Sequence, residues 1–146
     1  NPHIDINYQI NWTKKNILDH KTLDFIIYNN KRMKIGSIAL NNINYKKKNA
    51  EWGRWICLGN PMESIESVIL LLNFSFSKLK LKKIYSVTNA KNTRVINFHK
   101  RSGALYNGIL KNKYFIKGKK IDAVKYTFDK SKFFKFKKKI YNSLKF

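Results

Sequence analysis

The segment NTRVINFHKRSGAL, residues 92–105, holds the side chain best suited to proton transfer at neutral pH, the imidazole of His99. A histidine titrates at about pH 6.5, and the flanking cations Lys100 and Arg101 are expected to lower the pKa, because a nearby positive charge disfavours imidazolium. Apolar residues at 95, 96 and 98 give the segment one apolar side, as in a packed helix. His99 is therefore either a proton donor at the lip of a pocket or a polar residue on a basic surface.

The composition is that of a globular chain with a strong positive charge. Of its 146 residues, 43% are hydrophobic and 14% aromatic, which is enough for the buried core of one domain. The formal net charge of +23 attracts anionic ligands, of which nucleic acid is one class. Only four of the 31 basic residues are arginine, the residue that nucleic-acid readers use for bidentate contacts, and the lysines are spread along the chain. Nucleic acid is therefore not the favoured partner, although a basic nucleic-acid-binding module stays an alternative.

Apolar runs, cysteine and histidine spacing and the first residue indicate the cellular compartment and the kinds of site to expect. The longest apolar run, residues 67–76, is broken by Asn73 and is too short for a membrane span. Cys57 is the lone cysteine, which excludes an internal disulfide and fits a reducing cytoplasm. With no cysteine partner and no ligand spacing among the histidines, no metal site is expected. The first residue is Asn1 instead of Met, which is typical of a trimmed N-terminus or of a piece of a longer protein.

Hydrophobic periodicity and turn residues predict an α+β fold with a largely antiparallel sheet flanked by helices. One helix is expected to begin at Pro61, with Asn60 as its N-cap and Glu63 completing a capping box. Another is expected to begin at Asn92 or Thr93 and to end at Gly103. The predicted elements in order are a loosely helical segment 5–18, strands 23–28, 33–40 and 50–59, the helix from 61, strand 82–89, helix 93–102, and a hairpin that turns at 117–120.

We place the domain boundary at residue 130. Residues 1–130 form the predicted domain, and residues 131–146 form a basic and aromatic tail in which lysine alternates with phenylalanine and other apolar residues. We favour the interpretation of the tail as a C-terminal helix or frayed end that packs its aromatic side chains on the sheet. The alternative is a surface for an anionic membrane or partner.

The element order and several stretches together resemble the GNAT superfamily of N-acetyltransferases. These stretches are MKIGSIAL, NPMESIESVILLLNFSFSKLKLKKIYSVT, and NTRVINFHKRSGAL followed by GILKNKYFIKGKKIDAVKY. Within the superfamily, the chain is most similar to the acetyltransferases of nucleotide-activated amino sugars in pseudaminic-acid-type pathways, which are close to the ribosomal-protein acetyltransferases. The resemblance extends from about residue 6 to residue 128 and lacks the first strand of the family. Either the sequence is an incomplete copy, or another chain or domain covers that sheet edge, and a homodimer stays open.

The resemblance implies an N-acetyltransferase that uses acetyl-CoA as co-substrate. A small-molecule amine, a nucleotide-linked amino sugar, is the favoured acceptor; a protein N-terminus of the ribosomal-protein type is the alternative. A polyamine is disfavoured because a strongly basic protein repels it. In the family, CoA lies between two strands, here 50–59 and 82–88, and its pyrophosphate sits on the following loop and helix N-terminus. The residues implied in CoA binding are Ile56, Cys57, Leu58, Ser64, Ile65, Asn92 and Phe98.

The loop at residues 59–65 departs from the family pattern, because the usual glycines are absent and Pro61 has no N–H group. Glu63 also adds negative charge where an anion would bind. The backbone N–H groups of Ser64, Ile65 and Glu66 are then expected to hold the pyrophosphate.

The same resemblance implies catalytic roles for two residues. His99 lies near the position of an aromatic acid that faces the CoA sulfur, and an imidazolium there could protonate the departing thiolate. Glu51, on a strand expected to line the site, is the first candidate for the base that deprotonates the acceptor ammonium. The weaker candidates for this base are His3, Asp5, His20 and Asp122. The aromatic residues Trp12, Trp52, Trp55 and Tyr114 are candidates to stack on a sugar or base, although core positions are favoured for them.

Overall fold

The computed structural model describes residues 7, 10, 11 and 20–144 of the chain. Most of the predicted helical segment 5–18 lies outside the described residues. The candidate side chains His3, Asp5 and Trp12 also lie outside them.

In the described part of the chain, six strands form one sheet. They are β1 (Leu23–Tyr28), β2 (Lys34–Asn44), β3 (Asn49–Cys57), β4 (Lys83–Asn89), β5 (Leu105–Ile116) and β6 (Lys119–Asp129). Their order across the sheet is β1-β2-β3-β4-β6-β5. The β3–β4 pair is parallel, and the other four pairs are antiparallel. The predicted class, α+β with a largely antiparallel sheet, is therefore confirmed.

Three helices follow the sequence signals closely: α1 (Pro61–Ser77), α2 (Thr93–Ser102) and α3 (Lys130–Ser143). The predicted capping box is present at the start of α1, where the side chains of Asn60 and Glu63 each accept a hydrogen bond from the other residue's backbone N–H group. Asn92 caps α2, and Gly103 ends it in the left-handed conformation at φ 74°. None of these helices is long and apolar enough to cross a membrane, within the residues described.

The core lies between one face of the sheet, here called the helix face, and helices α1 and α3. Strand alternation selects this face, because paired residues on neighbouring strands point to the same side. Leu40 of β2 pairs with Trp52 of β3, and both are buried in this core. Ala50 of β3 pairs in the same way with the buried Ile84 of β4. The opposite face, here called the second face, carries Asp24, Glu51 and Tyr85.

The C-terminal tail belongs to this same core. Most of the segment forms α3, which is capped by Asp129 at its start. Phe133 is fully buried and Phe136 nearly so, and both pack with the aromatic and aliphatic residues of α1 and β6. The favoured interpretation of the tail as a docked helix therefore agrees with the structure, whereas a domain boundary at residue 130 would cut through one core.

Candidate active site

Strands β3 and β4 pair over a short stretch and then separate. Residues 49–51 lie opposite residues 83–85, and the described strands make no further pairs with each other beyond Glu51 and Tyr85. A β-bulge lies in β3 after the last residue paired with β4: Ile38 of β2 faces both Arg54 and Trp55, and Arg54 has φ 47°. Because a bulge kinks its strand and increases the local twist, β3 bends away from β4. The result is a V-shaped cleft, closed at Glu51 and Tyr85 and open at the strands' C-terminal ends.

Two adjoining cavities occupy this cleft. The fork cavity, about 270 Å³, lies near the point where the strands part, and its walls include Trp52, Trp55, Ser86 and Thr88. The helix-end cavity, about 380 Å³, lies nearer the starts of α1 and α2. Both cavities are lined by Trp55, Asn92 and Val95, so they form one continuous path along the cleft.

The structure brings together most of the residues that were predicted to bind CoA. The helix-end cavity is lined by five of them: Ile56, Cys57, Leu58, Ser64 and Asn92. Ile65 and Phe98 line neither cavity and instead pack against the core. Contact with CoA stays a prediction for all seven residues, and the cavity geometry supports it for the five that line the helix-end cavity.

The N-terminus of α1 only partly fits a pyrophosphate. The Glu63 carboxylate accepts a hydrogen bond from the Asn60 N–H group at 2.8 Å, so the protein's own anion already occupies this helix end. The Ser64 N–H group donates to the Asn60 carbonyl at 3.0 Å, so it is not free to hold an anion, contrary to expectation. The Ser64 hydroxyl, in contrast, is buried and has no hydrogen-bond partner among the described residues, and Ser64 is part of the cavity wall. The exposed Arg94 adds a cation on the opposite wall.

His99 lies elsewhere than the sequence suggested. It is fully buried, not at the lip of a pocket, and its Nε2 lies 2.7 Å from the Ser86 hydroxyl oxygen. Its ring stacks on Tyr126 with the ring centroids 4.7 Å apart. Burial lowers the pKa of His99 from 6.5 to about 4. The pKa is thus lowered as expected, but the predicted cause, the flanking Lys100 and Arg101, is wrong. The further rings around His99 are Trp52, Phe98 and Phe128.

This burial predicts acid sensitivity of the fold. The pKa of His99 in the folded protein lies below the unfolded value of 6.5, so between about pH 6.5 and 4 the unfolded chain binds a proton that the folded chain does not. His99 alone should lower the free energy of unfolding by about 3 kcal/mol as the pH falls through that range. Its contribution is fully present above pH 6.5. Urea unfolding at a series of pH values should show a shallower pH dependence for His99→Gln than for the wild type. Equal slopes would contradict this assignment.

Glu51 sits at the closed end of the cleft, on the second face of the sheet. Its carboxylate accepts a hydrogen bond from the Asn42 side-chain amide at 3.0 Å. Tyr85 and Tyr114 lie near enough for its charge to act on them: burial, and after it the Glu51 charge, raises the pKa of both phenols. The Tyr114 hydroxyl donates to the Val87 carbonyl at 3.0 Å. A carboxylate thus lies beside the point where the strands separate, as a proton acceptor for the cleft would require.

Other candidate residues have structural partners. Asp122 accepts hydrogen bonds from the Lys111 ammonium and the Asn112 N–H group, both at 2.8 Å, and so stabilises the irregular stretch of β5. Trp55 donates from its indole N–H to the Ser67 hydroxyl of α1 at 3.1 Å while still lining the cleft. His20 is exposed at the start of the continuously described chain. Within the described residues, no group of His, Cys, Asp and Glu could hold a metal ion.

Ser86 is a cavity residue that the sequence interpretation missed. It lies in the predicted strand 82–89, two residues after Ile84, so strand alternation already turned it toward the core. A hydroxyl at an inward strand position indicates either a hydrogen-bonding partner in the core or a ligand-binding site. Ser86 has the partner, His99, and also lines the fork cavity.

Comparison with known proteins assigns the family. Residues 2–124 match the model of the acetyltransferase (GNAT) domain. The spermidine N(1)-acetyltransferase of Vibrio cholerae is 26% identical over 107 residues, which cover 72% of this chain and 62% of that protein's length. Among solved structures, spermidine N-acetyltransferase from Vibrio cholerae in complex with CoA and spermine superposes with a TM-score of 0.81 at 23% identity, covering 92% of this chain and 80% of that one.

The spermidine/spermine N-acetyltransferase of the same organism, in complex with manganese ions, gives a TM-score of 0.77 at 23% identity, covering 88% of this chain and 77% of that one. These likenesses between structures confirm the predicted fold. The family match, which spans most of the sequence, goes further: this chain belongs to the acetyltransferase (GNAT) domain family.

Proposed function

We propose that this protein transfers the acetyl group of acetyl-CoA to a primary amine bound at the cleft between β3 and β4. The observation that carries the proposal is the separation of these two parallel strands after Glu51 and Tyr85, with a continuous cavity in the gap. Once a strand loses its neighbour, its edge N–H and C=O groups can bind an extended chain of amides, such as a pantetheine arm. The Ser64 hydroxyl and Arg94 line the outer end of the path, where the phosphates of CoA would lie.

In this proposal Glu51 is the general base. An amine attacks the thioester carbonyl carbon only as the neutral form, so the ammonium of the acceptor must lose a proton first. Glu51 pairs with Tyr85 where the strands separate and lines neither cavity, so in this proposal the proton reaches it through water. The nitrogen–carbon bond then forms, the carbon–sulfur bond breaks, and the electron pair leaves with the sulfur. The nitrogen gives up its second proton to the departing thiolate or to water, which leaves the neutral amide and the free thiol of CoA.

His99 does not protonate the leaving sulfur in this proposal. With a pKa of about 4, only about one imidazole in a thousand carries the extra proton at pH 7. A thiol has a pKa of about 8.5, so a thiolate leaves without a strong acid beside it. In this proposal His99 therefore stays neutral, and the imidazolium role inferred from the sequence is dropped.

Two acceptor classes have support. The relative that is 26% identical is a spermidine N(1)-acetyltransferase, which favours a polyamine. The charge distribution favours an acceptor with one amine and an anionic part, such as a nucleotide-linked amino sugar, because a net charge of +23 repels a polycation. On the second face, Asp24 is paired with Arg54 at 2.8 Å, and the Lys125 ammonium lies 4.5 Å from the centroid of the Tyr85 ring. We favour the nucleotide-linked amino sugar, with Lys125 as an attractive charge for its phosphates.

Thiol release from acetyl-CoA tests this function, with spermidine, a uridine-diphosphate-linked amino sugar and a peptide with a free N-terminus as acceptors. The nucleotide-linked sugar is expected to give the highest kcat/KM, and Lys125→Ala should lower kcat/KM for that sugar more than for spermidine. Faster turnover of spermidine would establish the polyamine and contradict the charge argument. No release with any of these acceptors would count against the transferase assignment.

A cytoplasmic setting and a homodimer are the expected context for this function. Cys57 is a free thiol, which a reducing compartment maintains. β1 is an edge strand of the sheet in the described part of the chain. A second copy would protect such an edge from non-specific pairing.

The capping box at the start of α1 predicts that a variant without the Glu63 charge binds acetyl-CoA more tightly than the wild type. Glu63→Gln should strengthen acetyl-CoA binding by about three- to tenfold, because it removes a negative charge from the helix end while its amide oxygen can still accept from Asn60. Calorimetric titration at fixed ionic strength measures the change. The matched control is Glu66→Gln, which removes the same charge from an exposed position one turn further along α1. If both variants bind with the same affinity, Glu63 does not oppose CoA and the effect is one of net charge.

A further inference from the structure

Ser86 connects the cleft to a buried polar pair. The residue lies in β4 on the helix face of the sheet, is only 4% exposed, and belongs to the wall of the fork cavity. Its hydroxyl oxygen lies 2.7 Å from the Nε2 atom of His99, which is completely buried. Ser86 thus lies between the cavity and an imidazole that no ligand can reach directly.

The surroundings of His99 favour one tautomer. Among the described residues, neither Nδ1 of His99 nor the indole Nε1–H of Trp52 has a hydrogen-bond partner. The Trp52 ring packs edge-on against the imidazole at a centroid distance of 5.6 Å. An unpaired N–H donor is rarer inside proteins than an under-used acceptor. The proton of neutral His99 is therefore placed on Nε2, from which it is donated to the Ser86 oxygen.

We propose that Ser86 donates a hydrogen bond from its hydroxyl into the fork cavity, onto the negative charge that develops at the thioester during acetyl transfer, and that His99 is the positioning residue that orients it. This inference rests on the proposed function. It makes Ser86 the group that contacts the reacting atoms, whereas His99 acts only through Ser86 and never changes its protonation state.

The geometry explains why a buried histidine suits this task. A serine hydroxyl rotates freely when it has no partner. When another group donates a hydrogen bond to the serine oxygen, the hydrogen of the serine hydroxyl must point away from that donor. Because Ser86 lines the fork cavity, we take this hydrogen to point into it. A donor that is fixed before the reaction stabilises developing charge without reorganisation, and its effect is largest where water is excluded.

Steady-state kinetics test the role of Ser86. Ser86→Ala should lower kcat by about 10- to 100-fold and leave the Kd of acetyl-CoA within about threefold, and Ser86→Thr should restore most of kcat because it keeps the hydroxyl. The matched control is Ser75→Ala, which removes another fully buried hydroxyl, one that donates to the Leu71 carbonyl within α1 at 2.7 Å. That control should keep wild-type kcat. If Ser86→Ala stays within twofold of wild type, or loses no more than Ser75→Ala, Ser86 has no such role.

Nitrogen NMR of histidine-labelled protein tests the role of His99 independently of activity. At pH 7 the signals that are lost in His99→Phe should be those of a neutral ring with the proton on Nε2. A proton on Nδ1, or an imidazolium, would overturn the proposed orientation of Ser86 even in a protein that binds acetyl-CoA normally. Calorimetry of the wild type distinguishes failure of this inference from failure of the proposed function. A folded protein that does not bind acetyl-CoA would refute the proposed function itself.

Discussion

Glu51→Gln is expected to lower kcat for acetyl transfer by about 100-fold or more, with the Kd of acetyl-CoA unchanged within about threefold. Glutamine keeps the shape of the side chain and can still accept a hydrogen bond from Asn42, but it cannot take the proton of an ammonium. The loss should shrink as the pH is raised towards the pKa of the acceptor amine, because the amine then loses its proton without help. Stopped assays of acetylated product at several pH values measure both effects.

The control for this prediction is Asp122→Asn. Asp122 was the other described acid considered as a base, and its two hydrogen bonds, to Lys111 and Asn112, assign it a structural role. We expect a modest loss of stability with kcat within about twofold of wild type. If the large loss of kcat appears in Asp122→Asn and not in Glu51→Gln, the base lies at the β5–β6 hairpin and the cleft geometry has been misinterpreted.

Phe133→Ala is expected to lower the free energy of unfolding by about 3–5 kcal/mol, as other large-to-small changes in cores do. Phe133 is fully buried, and its ring lies 5.4 Å from that of Phe76 between α3 and α1. The neighbouring Phe134 is 40% exposed, so Phe134→Ala should cost less than about 1 kcal/mol. Urea unfolding of both variants measures the difference. If both variants lose little unfolding free energy, α3 does not contribute to the core. If both lose a similar large amount, the burial of the side chain does not determine the loss.

Local signals were sufficient for most of the fold. The starts of α1 and α2 follow from Asn60 and Asn92, whose side chains accept backbone hydrogen bonds within the first turn. The end of α2 follows from Gly103, which adopts a positive φ at low cost. These features depend on residues a few positions apart, so a single sequence contains the information.

The cleft itself could not be located from the sequence by physical reasoning alone. Its shape depends on the bulge at Arg54, an arginine with positive φ where a glycine would have given a signal. The bulge is fixed by the pairing of β3 with β2, and the gap by the partial pairing of β3 with β4, about thirty residues away. The resemblance to the family supplied this feature and the candidates Ile56, Cys57 and Asn92, which line the helix-end cavity. Their contact with CoA stays a prediction.

His99 illustrates why side-chain environment is harder to predict than secondary structure. Its neighbours in the chain, Lys100 and Arg101, are exposed and suggest a basic surface. Its neighbours in space include Ser86 of β4, which is hydrogen-bonded to it, and Tyr126 of β6, whose ring stacks on the buried imidazole. The helix was predicted correctly, but which of its sides faces the sheet depends on packing between segments far apart in sequence.

Acetyl-CoA titration by calorimetry, at moderate and at high salt, tests the central claim most directly, with a mixed-sequence oligonucleotide as the competing ligand. The cleft between β3 and β4 predicts saturable one-to-one binding of acetyl-CoA that persists at high salt, because hydrogen bonds and packing are screened little. Oligonucleotide binding should collapse, since it depends on counterion release from the phosphates. A folded protein that shows no saturable acetyl-CoA binding, or one in which both ligands lose affinity equally with salt, would contradict an acetyltransferase site in this cleft.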